Sequence, residues 1–171
     1  MSIRYSVMSL AAAIGLYMTL VVVNNLTDYG SNFAFVSHVL SMDDTFSANK
    51  GMWRAISQPL VHHIAYVLII LTESIIAILC LLGSWNLWKN RFASPKEFRR
   101  ARKLAVYGLL LGFLLWFTGF VSIGGEWFLM WQSSHWNGTE VAMRNALMFL
   151  LVMFYLNSVN VPVVTRSIPS S

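Results

Sequence analysis

Four apolar stretches, each near the length that crosses a bilayer, fill most of this 171-residue chain, and one of them holds a carboxylate at its centre. That stretch runs PLVHHIAYVLIILTESIIAILCLLG from Pro59 to Gly83, with Glu73 about midway. A helix of about 20 apolar residues spans the hydrocarbon of a membrane. A charged side chain at the middle of such a helix costs roughly 2.5–3.5 kcal/mol on insertion scales. Glu73 is therefore expected to be neutral and turned inward, towards protein or a cavity. Its expected partner is Thr118, Tyr107 or an asparagine of another helix.

The rest of the composition agrees with a membrane solvent. The chain is 57% hydrophobic and 11% charged, where soluble domains carry about 25% charged residues. The spans fall at about 5–26, 60–84, 104–124 and 142–160, leaving no room for a second domain. The fold class expected is all-α, a four-helix transmembrane bundle forming a single integral membrane domain over 1–171. The first apolar run is too long for the core of a cleaved signal, so it is expected to remain as the first span. Cys80, the lone cysteine, lies inside the second span and excludes an intramolecular disulfide.

The net charge of +5 is explained by its distribution. Lys89, Arg91, Lys96, Arg99, Arg100, Arg102 and Lys103 crowd the segment between the second and third spans. Cytoplasmic loops are enriched in Lys and Arg, which places this segment, Arg4 and Arg166 inside. Lys50, Arg54 and Arg144 are left outside, and both termini are cytoplasmic. The basic 89–103 loop then meets anionic headgroups, and nucleic acid is not expected as a partner. Within it, Ser94-Pro95-Lys96-Glu97 has the pattern of a helix start: an N-cap, a proline at the first position and an early acid.

The outer loops hold the remaining polar chemistry. Between about Thr27 and Pro59, the spacing of Phe33, Val36, Leu40 and Met42 predicts a short amphipathic helix. Asn24-Asn25 and Asp28-Tyr29-Gly30 mark a turn before it. All four histidines (His38, His62, His63 and His135) fall on the outer side with most of the acids. No metal-binding spacing is present, since adjacent His62 and His63 point about 100° apart on a helix. No metal and no cofactor are expected.

Two arrangements carry candidate sites. On the second span, His62, Tyr66, Ile69, Glu73 and Ala77 form one stripe, with His62 and Glu73 about 16 Å apart along the axis. At the end of the third span, Gly124-Gly125 permits a break or close approach before Glu126 and Trp127. Glu126 is expected near Arg144, or alternatively His62 or His63, making an outer vestibule. Trp127, Trp131 and Trp136 also fit an interfacial aromatic belt. Gly108-xxx-Gly112 on the third span predicts a close helix–helix seam inside the protein.

The chain resembles the family of predicted small integral membrane proteins known as domain of unknown function 2165. The resemblance rests on Val39-Leu40-Ser41-Met42-Asp43, on Ile69-Ile70 with Glu73, and on Leu79-Cys80-Leu81-Leu82-Gly83-Ser84-Trp85. Its most specific stretch is Ile123-Gly-Gly-Glu-Trp-Phe-Leu-Met-Trp-Gln-Ser133 with Trp136-Asn137-Gly138. It reaches from the first helix to about Asn160 and implies a multi-pass protein of the bacterial inner membrane. It implies no reaction, ligand or catalytic residue.

The function expected is non-catalytic: an accessory or lipid-binding subunit of an envelope complex, with membrane lipids and a protein in the membrane as partners. One alternative is a quinone-like or metal site in the outer leaflet built from Glu73, His62, Glu126 and the tryptophans. Another is proton-linked transport, which normally requires more spans and internal repeats. The charge split predicts that a cytoplasmic-side reporter fused after Ser171 is active. Activity of an outer-side reporter there would contradict the topology.

Overall fold

The computed structural model describes residues 3–159. The expectations for Asn160, Arg166 and the C-terminus lie outside the described residues. Within them all regular structure is helical: α1 (Ile3–Thr27), α2 (Tyr29–Ser41), α3 (Pro59–Lys89), α4 (Pro95–Ala101), α5 (Lys103–Leu114), a π-helix (Leu115–Trp127) and α6 (Thr139–Ser158). Two single turns of 3-10 helix, Met52–Arg54 and Met130–Gln132, interrupt the loops. Four helical runs are long and apolar enough to cross a membrane: 3–27, 59–89, 95–127 and 139–158.

These runs are apolar on the outside as well as the inside. On α3 the buried residues include Tyr66, Ile70, Glu73, Ala77, Cys80 and Leu87. The opposite face exposes Leu68, Leu71, Ile75 and Ile78. An exposed apolar surface of this extent is stable only against lipid or another protein.

Local chemistry sets the helix limits. Pro59 occupies the first turn of α3, where its missing N–H is no loss. Ser94 and Glu97 form a reciprocal capping box at the start of α4, the Glu97 carboxylate accepting from the Ser94 N–H at 3.0 Å. Two buried arginines tie the basic end together. Arg4 donates to the Arg91 and Ala93 carbonyls at 3.0 and 2.7 Å, which puts the start of α1 beside the basic loop. Arg102 donates to the Leu156 carbonyl in the last turn of α6, one of the carbonyls that lack an intrahelical partner.

The spans pack in the order α1, α3, α5, α6, with α6 also touching α1. The seam expected at Gly108 and Gly112 is internal, but it faces two helices rather than one. A Cβ on Gly108 would lie 2.8 Å from Cys80 Sγ on α3, and one on Gly112 would lie 2.8 Å from Phe149 Cζ on α6. Beyond α5 the third span departs from expectation. The helix runs unbroken through Gly124 and Gly125 as a π-helix ending at Trp127. Its i to i+5 bonding is visible at the end, where the Phe128 N–H donates to Ile123 O at 2.9 Å. Leu129, at φ 55°, then turns the chain back.

The loop between α1 and α3 contains a helix, α2, as the spacing predicts. It buries Val36 and Val39 and packs on α3. The turn expected at Asn24-Asn25 is displaced: α1 continues to Thr27, and Asn25 is inside it. Leucine at Gly108 or at Gly112 should overpack its contact and cost about 1–3 kcal/mol. Thermal melts in detergent read this, and unchanged melting of both variants would place that face against lipid.

Candidate functional site

Glu73 is buried, 2% exposed, and among the described residues its one hydrogen bond comes from α1: Asn25 Nδ2 donates to Glu73 Oε2 at 2.6 Å. The same Asn25 is held by its backbone, since the Tyr66 hydroxyl donates to Asn25 O at 3.2 Å. Asn25 has this role because it continues the buried stripe of α1 through Val7, Ala11, Ile14 and Met18 at helical spacing. Of the three partners expected for Glu73, an asparagine of another helix is the one found. Thr118 and Tyr107 are exposed on the outer faces of their helices.

This polar node lines a cavity of about 370 Å³. Asn25, Tyr66, Ile69, Glu73, Trp116 and Phe120 line it together with Asn32, Asn137 and Gly138. A second cavity of about 190 Å³ adjoins it, walled by apolar side chains of α2, α3 and the π-helix. Phe35, Val36, Ile69 and Phe120 belong to both. Neither lining includes a lysine, arginine or histidine. The π-helix supplies residues to each.

Buried polar atoms are normally hydrogen-bonded. Among the described residues, three side-chain atoms are buried without a partner: Ser37 Oγ, Trp116 Nε1 and Thr139 Oγ1. Trp116 is the one of these residues that lines the Glu73 cavity. Trp116 continues the Gly108–Gly112 face of the third span one turn further along. No sequence signal marks an indole N–H as unpaired.

The remaining candidate residues sit apart from this node. His62 is buried, but its Nε2 meets the Ile56 carbonyl at 2.7 Å, so that nitrogen carries the proton. It fixes the loop before α3 and makes no hydrogen bond to Tyr66 or Glu73. Glu126 and Arg144 are both exposed. Neither is bonded to the other, and Glu126 is bonded to neither His62 nor His63. The π-helix ends with the Glu126 side chain on its exposed side, so the expected vestibule does not form. Trp127 instead meets Trp53 edge to face at 5.8 Å, with the Arg54 guanidinium 5.2 Å from its ring centre. Among the described residues, no group of three or more His, Cys, Asp or Glu side chains is placed to hold a metal ion.

A clasp closes the end of the molecule above the cavity. Asp44 accepts from the Ser133 hydroxyl and from the His135 N–H at 3.1 Å. His38 pairs with Asp43 at 2.8 Å and stacks on Trp136 at 4.3 Å. These contacts fasten α2 to the 130–138 segment, and both supply the cavity's outer lining. The Ser133 hydroxyl first, then the His135 N–H, lowers the Asp44 carboxyl from 3.8 to about 2. A carboxyl lowered in the folded state stabilises it fully above its unfolded value and ceases to as pH falls through its folded value. The clasp should thus loosen between pH 3.8 and about 2. Asp44→Asn should abolish that acid step in the near-ultraviolet circular dichroism, and an identical step in the variant would remove Asp44 from the account.

No curated protein and no solved structure matches the chain. Residues 3–158 match the family described as "Predicted small integral membrane protein (DUF2165)". With the match covering nearly all of its length, the chain belongs to that family of small integral membrane proteins.

Proposed function

We propose that this is a non-catalytic binding protein of the bacterial inner membrane that holds one lipid-class molecule between α1, α2, α3, the π-helix and α6. The observation that carries this reading is the pairing of cavities: one is lined by the Glu73–Asn25 node, and the other, sharing four lining residues with it, has apolar walls only. A molecule with a polar head and a hydrocarbon tail matches that sequence of surfaces. The absence of a nucleophile–base pair or cofactor motif from the sequence favours binding over catalysis, and fits an accessory role in an envelope complex.

Glu73 in this reading is uncharged. Among the described residues no cation pairs with it, and its one partner is an amide. An ionised carboxylate so placed would be an uncompensated charge in hydrocarbon. The basic 89–103 segment lies on the cytoplasmic headgroups, and the clasp of Asp43, Asp44, His38 and His135 faces the outer side.

The test is extraction in mild detergent followed by native mass spectrometry. One bound molecule per chain is expected, and Glu73→Gln should retain both it and near-native melting. Ile69→Trp, which fills the space shared by the two cavities, should lose the molecule while circular dichroism stays helical. An empty native protein, or an adduct unchanged in Ile69→Trp, would contradict the reading.

A further inference from the structure

The lining of the Glu73 cavity narrows the chemistry of its occupant, on the reading that it binds a lipid-class molecule. We infer that the occupant is uncharged and presents an accepting oxygen, the carbonyl of a quinone or acyl ester, to Trp116 and Glu73.

Trp116 Nε1–H is a donor only, and it is buried without a partner beside the cavity. An uncharged Glu73 accepts from Asn25 at Oε2 and carries its proton on the other oxygen. Among the described residues, nothing accepts that proton. Two donors therefore belong to residues that line the cavity, and a buried unmet donor costs a full desolvation penalty. A carbonyl oxygen has two lone pairs and answers this need.

Other ligand classes fit less well. An anion would meet no positive side chain, because neither lining has one. An organic cation brings no acceptor and finds no charge on a neutral carboxyl. A pure hydrocarbon would leave both donors unmet. The side walls suit a flat head, since Trp116 and Phe120 stack at 4.7 Å with Tyr66 and Phe35 in the same lining. The tail has the adjoining cavity of Ala65, Leu115, Ile123 and Phe128. Water alone would also satisfy the donors, in a space large enough to hold several molecules.

The experiment uses purified full-length protein in maltoside micelles and four probes with ten-carbon chains. These are a decyl-substituted benzoquinone, methyl decanoate, decane and decyltrimethylammonium. Displacement of the co-extracted molecule is followed by native mass spectrometry. The quinone, the ester or both should displace it at least about tenfold better than decane, and better than the cation, as expected for one or two hydrogen bonds to buried donors. The stronger of the two identifies the source of the carbonyl. Trp116→Phe should weaken that probe by about tenfold, whereas Glu73→Gln, whose amide keeps a donor on the cavity side, should stay within about threefold. Glu73→Leu should lose it, with helicity checked in each variant. Tightest binding by the cation, equal binding of decane, or no effect of Trp116→Phe would overturn the inference, the last pointing to water on the two donors. If a co-extracted molecule is present but no carbonyl probe displaces it, the assignment of chemistry fails and the lipid-binding reading stands. If neither a co-extracted molecule nor any probe binds, the reading itself fails.

Discussion

The rest of the molecule depends on how a carboxyl group is kept in the middle of an apolar helix. Glu73 cannot face lipid, so α3 must turn that side inward. Once turned, it requires a hydrogen-bonding partner at the same depth. Asn25 supplies it from α1 at 2.6 Å, and Tyr66 fixes Asn25 by its backbone carbonyl. The node of these two bonds joins α1 to α3 in one rotation about their axes. It also fixes their relative height, because Asn25 lies near one end of α1 and Glu73 near the middle of α3. The two helices pack along each other on that register, with the Ser84 hydroxyl donating to Met8 O at 3.0 Å towards the basic end.

The opposite side of the node is left open. Had the third span remained α-helical to its end, its side chains would repeat at the ordinary spacing. From Leu115 it widens into a π-helix, and Trp116, Gly119, Phe120, Ile123 and Gly124 form cavity wall instead of close core. Closer to the basic end, the same span packs tightly through Gly108 and Gly112. One helix thus combines a tight half and a loose half, and α2 with the 130–138 segment roofs the loose half. The clasp around Asp44 and His38 joins those two roof elements.

Much of this was legible in the sequence because the bilayer allows few solutions. The four spans, the helix start at Ser94, the helix in the first long loop and the inward turn of Glu73 all follow from length, spacing and charge. The node was only partly legible. Asn24-Asn25 has the composition of a turn, yet Asn25 also sits seven residues after Met18 on the buried stripe of α1, and that periodicity was the available signal. The π-helix left no readable mark, since its residues have no distinctive composition. Gly124-Gly125 suggested a break, but backbone bonding to the fifth residue carried the helix through them. The outward position of Glu126 follows from that continuation and could not be read from charge pairing with Arg144.

The claim that carries the account is an uncharged Glu73 hydrogen-bonded to Asn25 in the lining of a cavity. Infrared difference spectroscopy of the protein labelled with carbon-13 at glutamate carboxyls, comparing native protein with Glu73→Gln at neutral pH, tests it most directly. The account predicts a protonated-carboxyl carbonyl band that is present in the native protein, absent in Glu73→Gln and shifted in Asn25→Leu. A native spectrum whose only loss in Glu73→Gln is a carboxylate band would show an ionised Glu73 and contradict the account.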